Sequence, residues 1–444
     1  MVEHGAKGAG RGPGDHGRRP RRTGLALTAA TALALAASAC GSSSPTAARH
    51  HTASTTTTAA TGAASTTTTA ATGAAPASTT TVAKASAPAS HSTTPPSAAC
   101  STSGGPLSAA CDTKSPSLQV TGAGANSIQP FFTRAFYFYN QADHGVNVNY
   151  SPAGSSVGVS DIQQNTVNFG DSEIPIKTPA TGTGGAILQV PVDLGGVALS
   201  YNLPGVSGGL KLDGPTVAGI FLGTIKAWND QAIKALNPGV SLPSTAVVAV
   251  HRADSSGPGY DLDQYLIDTG GSAWTSSAAG TTPSTKWPVA SVGVGQQLNT
   301  GVANYIQQTP GAIGYVEYAY SLQAGFTNAA LKNKSGGFVT PSQSGIAAAG
   351  AQAAGLSASN FNIVNGPGSG TYPLANFSWT LIYQKQANAT LGVVLGKLFD
   401  WVTTTGQNQA AALGYSPLPA NVVALAHQTL LQLQNAAGKA LFSS

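Results

Sequence analysis

At 444 residues the chain is long enough for two ordinary domains with extensions. Charged residues make up only 8% of it and glycine supplies 54 positions, which excludes a nucleic-acid binder working through a broad basic face. The formal net charge of +5 is also terminal in origin: residues 1–40 hold six Lys/Arg and two Asp/Glu, and the rest carries 15 against 14. Any anion site must therefore be built locally from a few groups.

Arg18, Arg19, Arg21 and Arg22 form a basic n-region, and Leu25 to Ala39 an apolar stretch too short to span a bilayer comfortably. Ala37-Ser38-Ala39-Cys40 follows. It resembles a bacterial lipobox with Ala37 in place of the usual leucine, and makes residues 1–40 an export signal with Cys40 as the lipidated first residue. The alternative is cleavage after Ala39 and free secretion. Residues 41–116 are mostly Ser, Thr, Ala, Gly and Pro, with STTTTAATGAA at 54–64 repeated without change at 65–75. Such a tract buries too little apolar surface to offset its ordering entropy, so a disordered stalk is expected. Cys100 and Cys111, each in the tetrapeptide SAAC, have no obvious set of further metal ligands nearby; a small structural disulfide is expected.

The folded region begins near Ser117. Short apolar runs (NVNY, TVNFG, GVALSYN, AVVAV, WTLIYQ) alternate with amphipathic ones (FFTRAFYFY, TVAGIFLGTIKAWNDQAIKAL, YDLDQYLI, ATLGVVLGKLFDWVTTTG, ANVVALAHQTLLQLQ). Strands alternating with helices predict an α/β fold with ligand loops at strand ends. Leu391, Val394, Leu395, Leu398 and Val402 recur at helical spacing and are core. Phe131, Phe132, Phe136, Tyr137, Phe138 and Tyr139 crowd one predicted helix and are expected to pack in the core or between lobes.

Three strand-to-helix junctions share one character: TGAGANSIQP (121–130), SPAGSSVGVSDIQ (151–163) and HRADSSGPGYDLD (251–263). Each puts Gly with Ser, Thr or Asn at a helix N-terminus, where free N–H groups and hydroxyls satisfy anionic oxygens. NFGDSEIP (168–175) adds Asp171 and Glu173. A carboxylate beside an anion is repulsive unless the anion still carries a proton. The carboxylate then accepts that proton's hydrogen bond, and a fully ionised tetrahedral anion has none to offer.

From residue 118 to the end the chain resembles the periplasmic phosphate-binding proteins that serve Pst-type ABC importers. The resemblance runs in order through TGAGA, GSS, NFGDSE, YNLPGV, LDGPTVAGIFLGTIKAWNDQAIKALNPGVSLPSTAVVAVHRADSSG, PGAIGYVEYAY and FDWVTTTG. It implies a two-lobed type II clamshell: residues 117–200 with 377–444 as lobe I, 201–376 as lobe II, and crossings near Ser200–Tyr201 and Phe377–Trp379. It implies inorganic phosphate as guest, permease subunits of a phosphate ABC transporter as partners, a lipid anchor as the only membrane contact, a monomer, no cofactor and no catalysis.

Residue by residue, Ser155 matches the family's ligand hydroxyl, Arg252 the pocket arginine and Asp254 the acid that fixes it. Ser256 and Gly257 match a hydroxyl and an N–H donor, and Glu173 stands where the family has its proton-accepting aspartate. Asn126-Ser127 replaces the family's Thr-Phe; Asn126 can still donate, and Ser127 keeps its N–H. Pro258 replaces a threonine, so up to two donors are gone, although proline suits the start of a helix.

Two other readings stay open. A divergent paralogue could bind another oxyanion or serve as a surface or signalling protein. Gly154-Ser155-Ser156-Val157-Gly158 fits the G-x-S-x-G elbow of serine hydrolases, which would also need a placed histidine. His251, beside Arg252, is expected to point away from the pocket by strand alternation.

Overall fold

The computed structural model describes Leu107, residues 115–277 and residues 280–442. The signal segment, Cys40, Cys100, Cys111 and nearly all of the expected stalk lie outside these residues.

The chain opens with β1 (Leu118–Gly124), α1 (Gln129–Ala142), β2 (Val146–Ser151), α2 (Ser155–Gln163) and β3 (Phe169–Ser172). The long strand β4 (Gly185–Tyr201) follows, then α3 (Gly214–Phe221), β5 (Val248–Arg252), α4 (Gly257–Thr269), β6 (Val294–Gln296), α5 (Leu298–Gln308), β7 (Ala312–Glu317) and α6 (Tyr318–Ala324). The chain then returns through β8 (Ala375–Tyr383), α7 (Ala389–Thr403) and α8 (Ala420–Leu430). One sheet runs β2-β1-β3-β8-β4-β7-β5-β6. Its ends are parallel, and its centre, from β3 through β8 and β4 to β7, is antiparallel.

β4 and β8 run side by side through the centre of the sheet. β4 pairs with β8 from Ile187 to Gly196 and with β7 from Val197 to Tyr201. The exchange of partners falls at Gly196–Val197, a few residues before the expected crossing near Ser200. The pair Gly195-Gly196 lets it happen: a Cβ on Gly195 would lie 2.5 Å from Glu317 Oε1 at the end of β7. In β8 the ladder to β4 shifts register between Ser378 and Trp379, where a crossing is expected.

Two large hydrophobic clusters make up most of the core, and the second reaches into Trp379, Leu418 and Val422 of the C-terminal segment. In the first, Pro130 sits in the opening turn of α1 and the helix turns Phe131, Phe132, Ala135, Phe136 and Tyr139 inward at helical spacing. Phe132 meets Phe136 at 4.6 Å and Tyr150 edge-on at 5.1 Å between ring centroids. Tyr137, expected among these packed rings, is instead 62% exposed, because its position falls on the outer face of α1. In the second lobe Trp228, Trp274, Trp287 and Tyr315 pack with Phe221 and Leu262. His251 stacks on Trp287.

The parallel strands β1, β2 and β3 deliver three of the four singled-out loops at one end of the first lobe, and β5 delivers the fourth in the second lobe. Gly158 allows α2 to come this close to the sheet: a Cβ there would lie 2.5 Å from Gly124 Cα and 2.4 Å from Asp171 O.

Candidate functional site

Glu173 follows β3 directly and is 2% exposed. Its Oε2 lies 3.5 Å from the Ser155 hydroxyl, at the first residue of α2. Its Oε1 accepts from Asn376 Nδ2 at 3.2 Å. The first residue of α4, Gly257, presses against it from the other lobe: a Cβ there would lie 2.2 Å from Oε2. Only glycine lets the two lobes meet at this point.

Arg252 ends β5 and is also 2% exposed. Its Nε donates to Asp254 Oδ1 at 2.7 Å and its Nη2 pairs with Asp254 Oδ2, a forked contact of the type that fixes guanidinium direction. Leu298 N–H holds Asp254 from the α5 side at 3.0 Å. Burial opposes ionisation of Asp254, but the Arg252 pair and the Leu298 N–H outweigh it and keep the carboxyl below its ordinary range. The loops touch: a Cβ on Gly154 would lie 3.3 Å from Asp254 Oδ2 and 3.4 Å from Ser255 O.

Burial pushes the Glu173 carboxyl up to about 7. The Ser127 hydroxyl, the charge of Arg252, and the Asn376 and Ser155 donors pull in the other direction. Ser127 is close enough to favour the ionised form, yet its buried hydroxyl meets no partner in good hydrogen-bond geometry. Glu173, Arg252, Ser127, Ser155 and Gly257 therefore lie together in one buried cluster.

Ser256 caps α4, its Oγ accepting from Gly259 N–H at 3.1 Å and its own proton remaining available to donate. Pro258 is the second residue of that helix, at a position whose N–H has no intrahelical acceptor. Asn126 is held by three hydrogen bonds. Its Nδ2 donates to Gln129 Oε1 at 3.0 Å, its Oδ1 accepts from Asn299 N–H at 2.8 Å, and its carbonyl accepts from Tyr320 Oη at 2.8 Å. The side chain ties the first lobe to α5 of the second, and the backbone carbonyl ties it to α6.

Four further buried acids surround Glu173: Asp171, Asp193, Asp261 and Glu317. Burial pushes each well above the ordinary carboxylate range, and the charge of Glu173 adds to the rise in all four. Asp171 Oδ1, Asp193 Oδ1 and Glu317 Oε2 have no hydrogen-bond partner, which neutral acids tolerate and carboxylates do not. Among the described residues no group of His, Cys, Asp and Glu has the arrangement of a metal site. Sequence reasoning missed Asp261 and Asn376. The visible signal was a second acid one helical turn beyond Ser256-Gly257, in YDLD.

Ser155 bonds to Glu173 and to no histidine, and His427 pairs with Asp400 at 3.0 Å on α7. The elements of a Ser-His-acid relay are not assembled among the described residues.

The PBP superfamily domain matches residues 40–405. The phosphate-binding protein PstS of Xylella fastidiosa is 38% identical over 313 residues, 70% of this chain and 84% of that protein. PstS of Pasteurella multocida is 36% identical over 327 residues, 73% of this chain and 93% of that protein. PstS 2 of Mycobacterium tuberculosis is 30% identical over 318 residues, 68% and 83% respectively. Among solved structures, a high affinity periplasmic phosphate-binding protein bound with phosphate superposes with a TM-score of 0.54 at 19% identity, covering 70% of this chain and 93% of that one. A phosphate-binding protein from Stenotrophomonas maltophilia gives the same score and coverage at 18% identity. These likenesses show the type II periplasmic-binding-protein fold. The chain belongs to the PBP superfamily and, within it, to the PstS family of phosphate-binding proteins.

Proposed function

We propose that this chain is an extracytoplasmic receptor that binds one inorganic phosphate between its lobes and delivers it to the permease subunits of an ABC-type importer. The lobes are residues 117–200 with 377–444, and 201–376. The observation that carries the reading is the burial of Glu173, an acceptor, in one enclosure with the Arg252–Asp254 pair and the Ser127 and Ser155 hydroxyls. Arg252 supplies charge and a forked donor. Ser155, Ser256 and the N–H groups of Ser127 and Gly257 supply neutral donors. Glu173 accepts the proton that phosphate carries and sulfate lacks. Asn126 serves closure of the lobes more than the guest, and Pro258 removes a donor, so affinity below the family's usual level is expected.

The same reading has residues 1–40 direct export, Cys40 carry lipid, and the tract 41–116 hold a monomeric binding domain off the membrane. No helix among the described residues is long and apolar enough to cross a membrane. Equilibrium dialysis of the purified protein against labelled phosphate, with arsenate and sulfate as competitors, tests the function. Displacement by arsenate and not by sulfate is expected; sulfate binding as tight as phosphate contradicts it and favours the divergent-paralogue reading.

A further inference from the structure

Asn376 lies on the strand β8 and its amide nitrogen is shared by two acids. It donates to Glu173 Oε1 at 3.2 Å and to Asp261 Oδ2 at 2.6 Å. Asp261 sits in the first turns of α4, the helix whose N-terminus presses on Glu173, so this one amide joins the two lobes. All three side chains are buried. An Asn amide nitrogen has two hydrogens, and here each goes to a different carboxyl group.

We propose that Asp261 is a positioning residue that sets the specificity of the site, holding Asn376 so that the Glu173 carboxylate is locked in one plane with its second oxygen turned toward Ser155 and Gly257. This inference rests on the reading of Glu173 as the acceptor of the guest's proton. A carboxylate free to rotate could turn either lone pair, or neither, toward that proton. Fixing one oxygen on an amide fixes the other, and an acceptor aimed before the guest arrives loses no orientation on binding.

The charge balance supports the same division of labour. Two ionised carboxylates on one neutral amide, with no cation between them, would be strongly unfavourable in this burial. Glu173 also faces Arg252, Ser127 and Ser155, whereas Asp261 has the amide and burial alone. Glu173 is thus the group that ionises, and Asp261 keeps its proton. The titratable groups facing Asp261 are Glu173 after β3, Glu317 at the end of β7 and its neighbour Tyr260. None is a cation, so rising pH eventually forces a second negative charge beside the guest.

The test is calorimetric titration of phosphate and sulfate into the full chain and four variants, from pH 6 to pH 9. In Asp261→Ala the amide is released; the phosphate-to-sulfate affinity ratio should fall about ten- to a hundredfold, the equivalent of one charge-assisted hydrogen bond. Asn376→Ala should give the same ratio, and the double variant should be no worse than either single one. Asp261→Asn keeps an acceptor for the amide and removes the titration; it should restore the ratio and flatten the alkaline loss of phosphate affinity. A merely structural Asp261 would lower thermal stability and leave the ratio and the pH profile in place, and that result overturns the inference. So does an Asp261→Asn variant as impaired as Asp261→Ala. Wild-type protein that binds no phosphate overturns the functional reading and this inference with it, whereas wild-type binding with an unmoved ratio overturns the inference alone.

Discussion

Replacing Glu173 by glutamine changes one atom in the enclosure and inverts its chemistry. Oε1 is bound by the Asn376 amide at 3.2 Å, so a glutamine at this place keeps its carbonyl on Asn376 and turns its NH2 toward Ser155, Gly257 and the guest. A protonated oxygen of phosphate then meets a donor where it needs an acceptor. Loss of a charge-assisted hydrogen bond is worth about 1.5–3 kcal/mol, or roughly one to two decades of affinity. Sulfate moves in the opposite direction, since it gains a donor and is freed from a buried carboxylate. The ratio of the two affinities should therefore close by more than either single effect. The assay is isothermal calorimetry at pH 8, above the value of about 7 to which burial raises Glu173, so that the wild-type group is ionised. The wild-type protein should show the same convergence as pH falls through 7, because a protonated Glu173 also offers a donor to sulfate. A Glu173→Gln variant with the wild-type phosphate-to-sulfate ratio refutes the reasoning.

Gly257→Ala places a methyl 2.2 Å from Glu173 Oε2, and such overpacking should cost about 1–3 kcal/mol of the closed form, a roughly five- to hundredfold loss of phosphate affinity with little change in thermal stability of the open protein. Arg252→Ala removes the cation whose charge acts on Glu173 and leaves Asp254 without its forked partner; phosphate binding should weaken by about 3–5 kcal/mol, measured by dialysis. The ligand-free protein should lose stability as pH rises from 5 to 8. A carboxyl whose folded value lies above its unfolded one binds more protons in the native state, so its contribution is full below the ordinary value and is lost up to the raised one. For Glu173, raised from 4.5 to about 7, this amounts to about 3 kcal/mol, and Asp171, Asp193, Asp261 and Glu317 act in the same direction. Thermal melts without ligand across that range check it; a melting temperature that rises with pH contradicts the assignment of these acids as neutral.

The loops that build the enclosure were legible because each combines local signals: an apolar strand, then Gly with Ser or Asn, then a helix start. Ser155, Ser256 and Gly257 stand where such reasoning puts them, and Arg252 with Asp254 form a pair only two positions apart in sequence. What was not legible depends on distant partners. Asn126 looks like a donor at a helix start, yet its Oδ1 is taken by Asn299, 173 positions away, a contact that exists only across the lobes. Asn376 reads as one polar residue in a strand, and Asp261 as the polar face of a helix; only the packing of α4 against β8 brings them to one amide. Pro258 occupies a helix position whose N–H has no intrahelical acceptor, so it removes a donor that could face a guest without breaking a helix bond. β4 exchanges partners at Gly196–Val197, where Gly196 N–H donates to Glu317 Oε1 at 2.8 Å, a contact that no periodicity marks.

The most direct measurement is a crystal structure of the protein grown with phosphate at pH 8. The account predicts density for one phosphate inside the enclosure, with one oxygen at about 2.5–2.7 Å from a Glu173 carboxylate oxygen and another within hydrogen-bond reach of the Arg252 guanidinium. Phosphate seated elsewhere, or held by Arg252 with Glu173 turned away from it, would contradict the account.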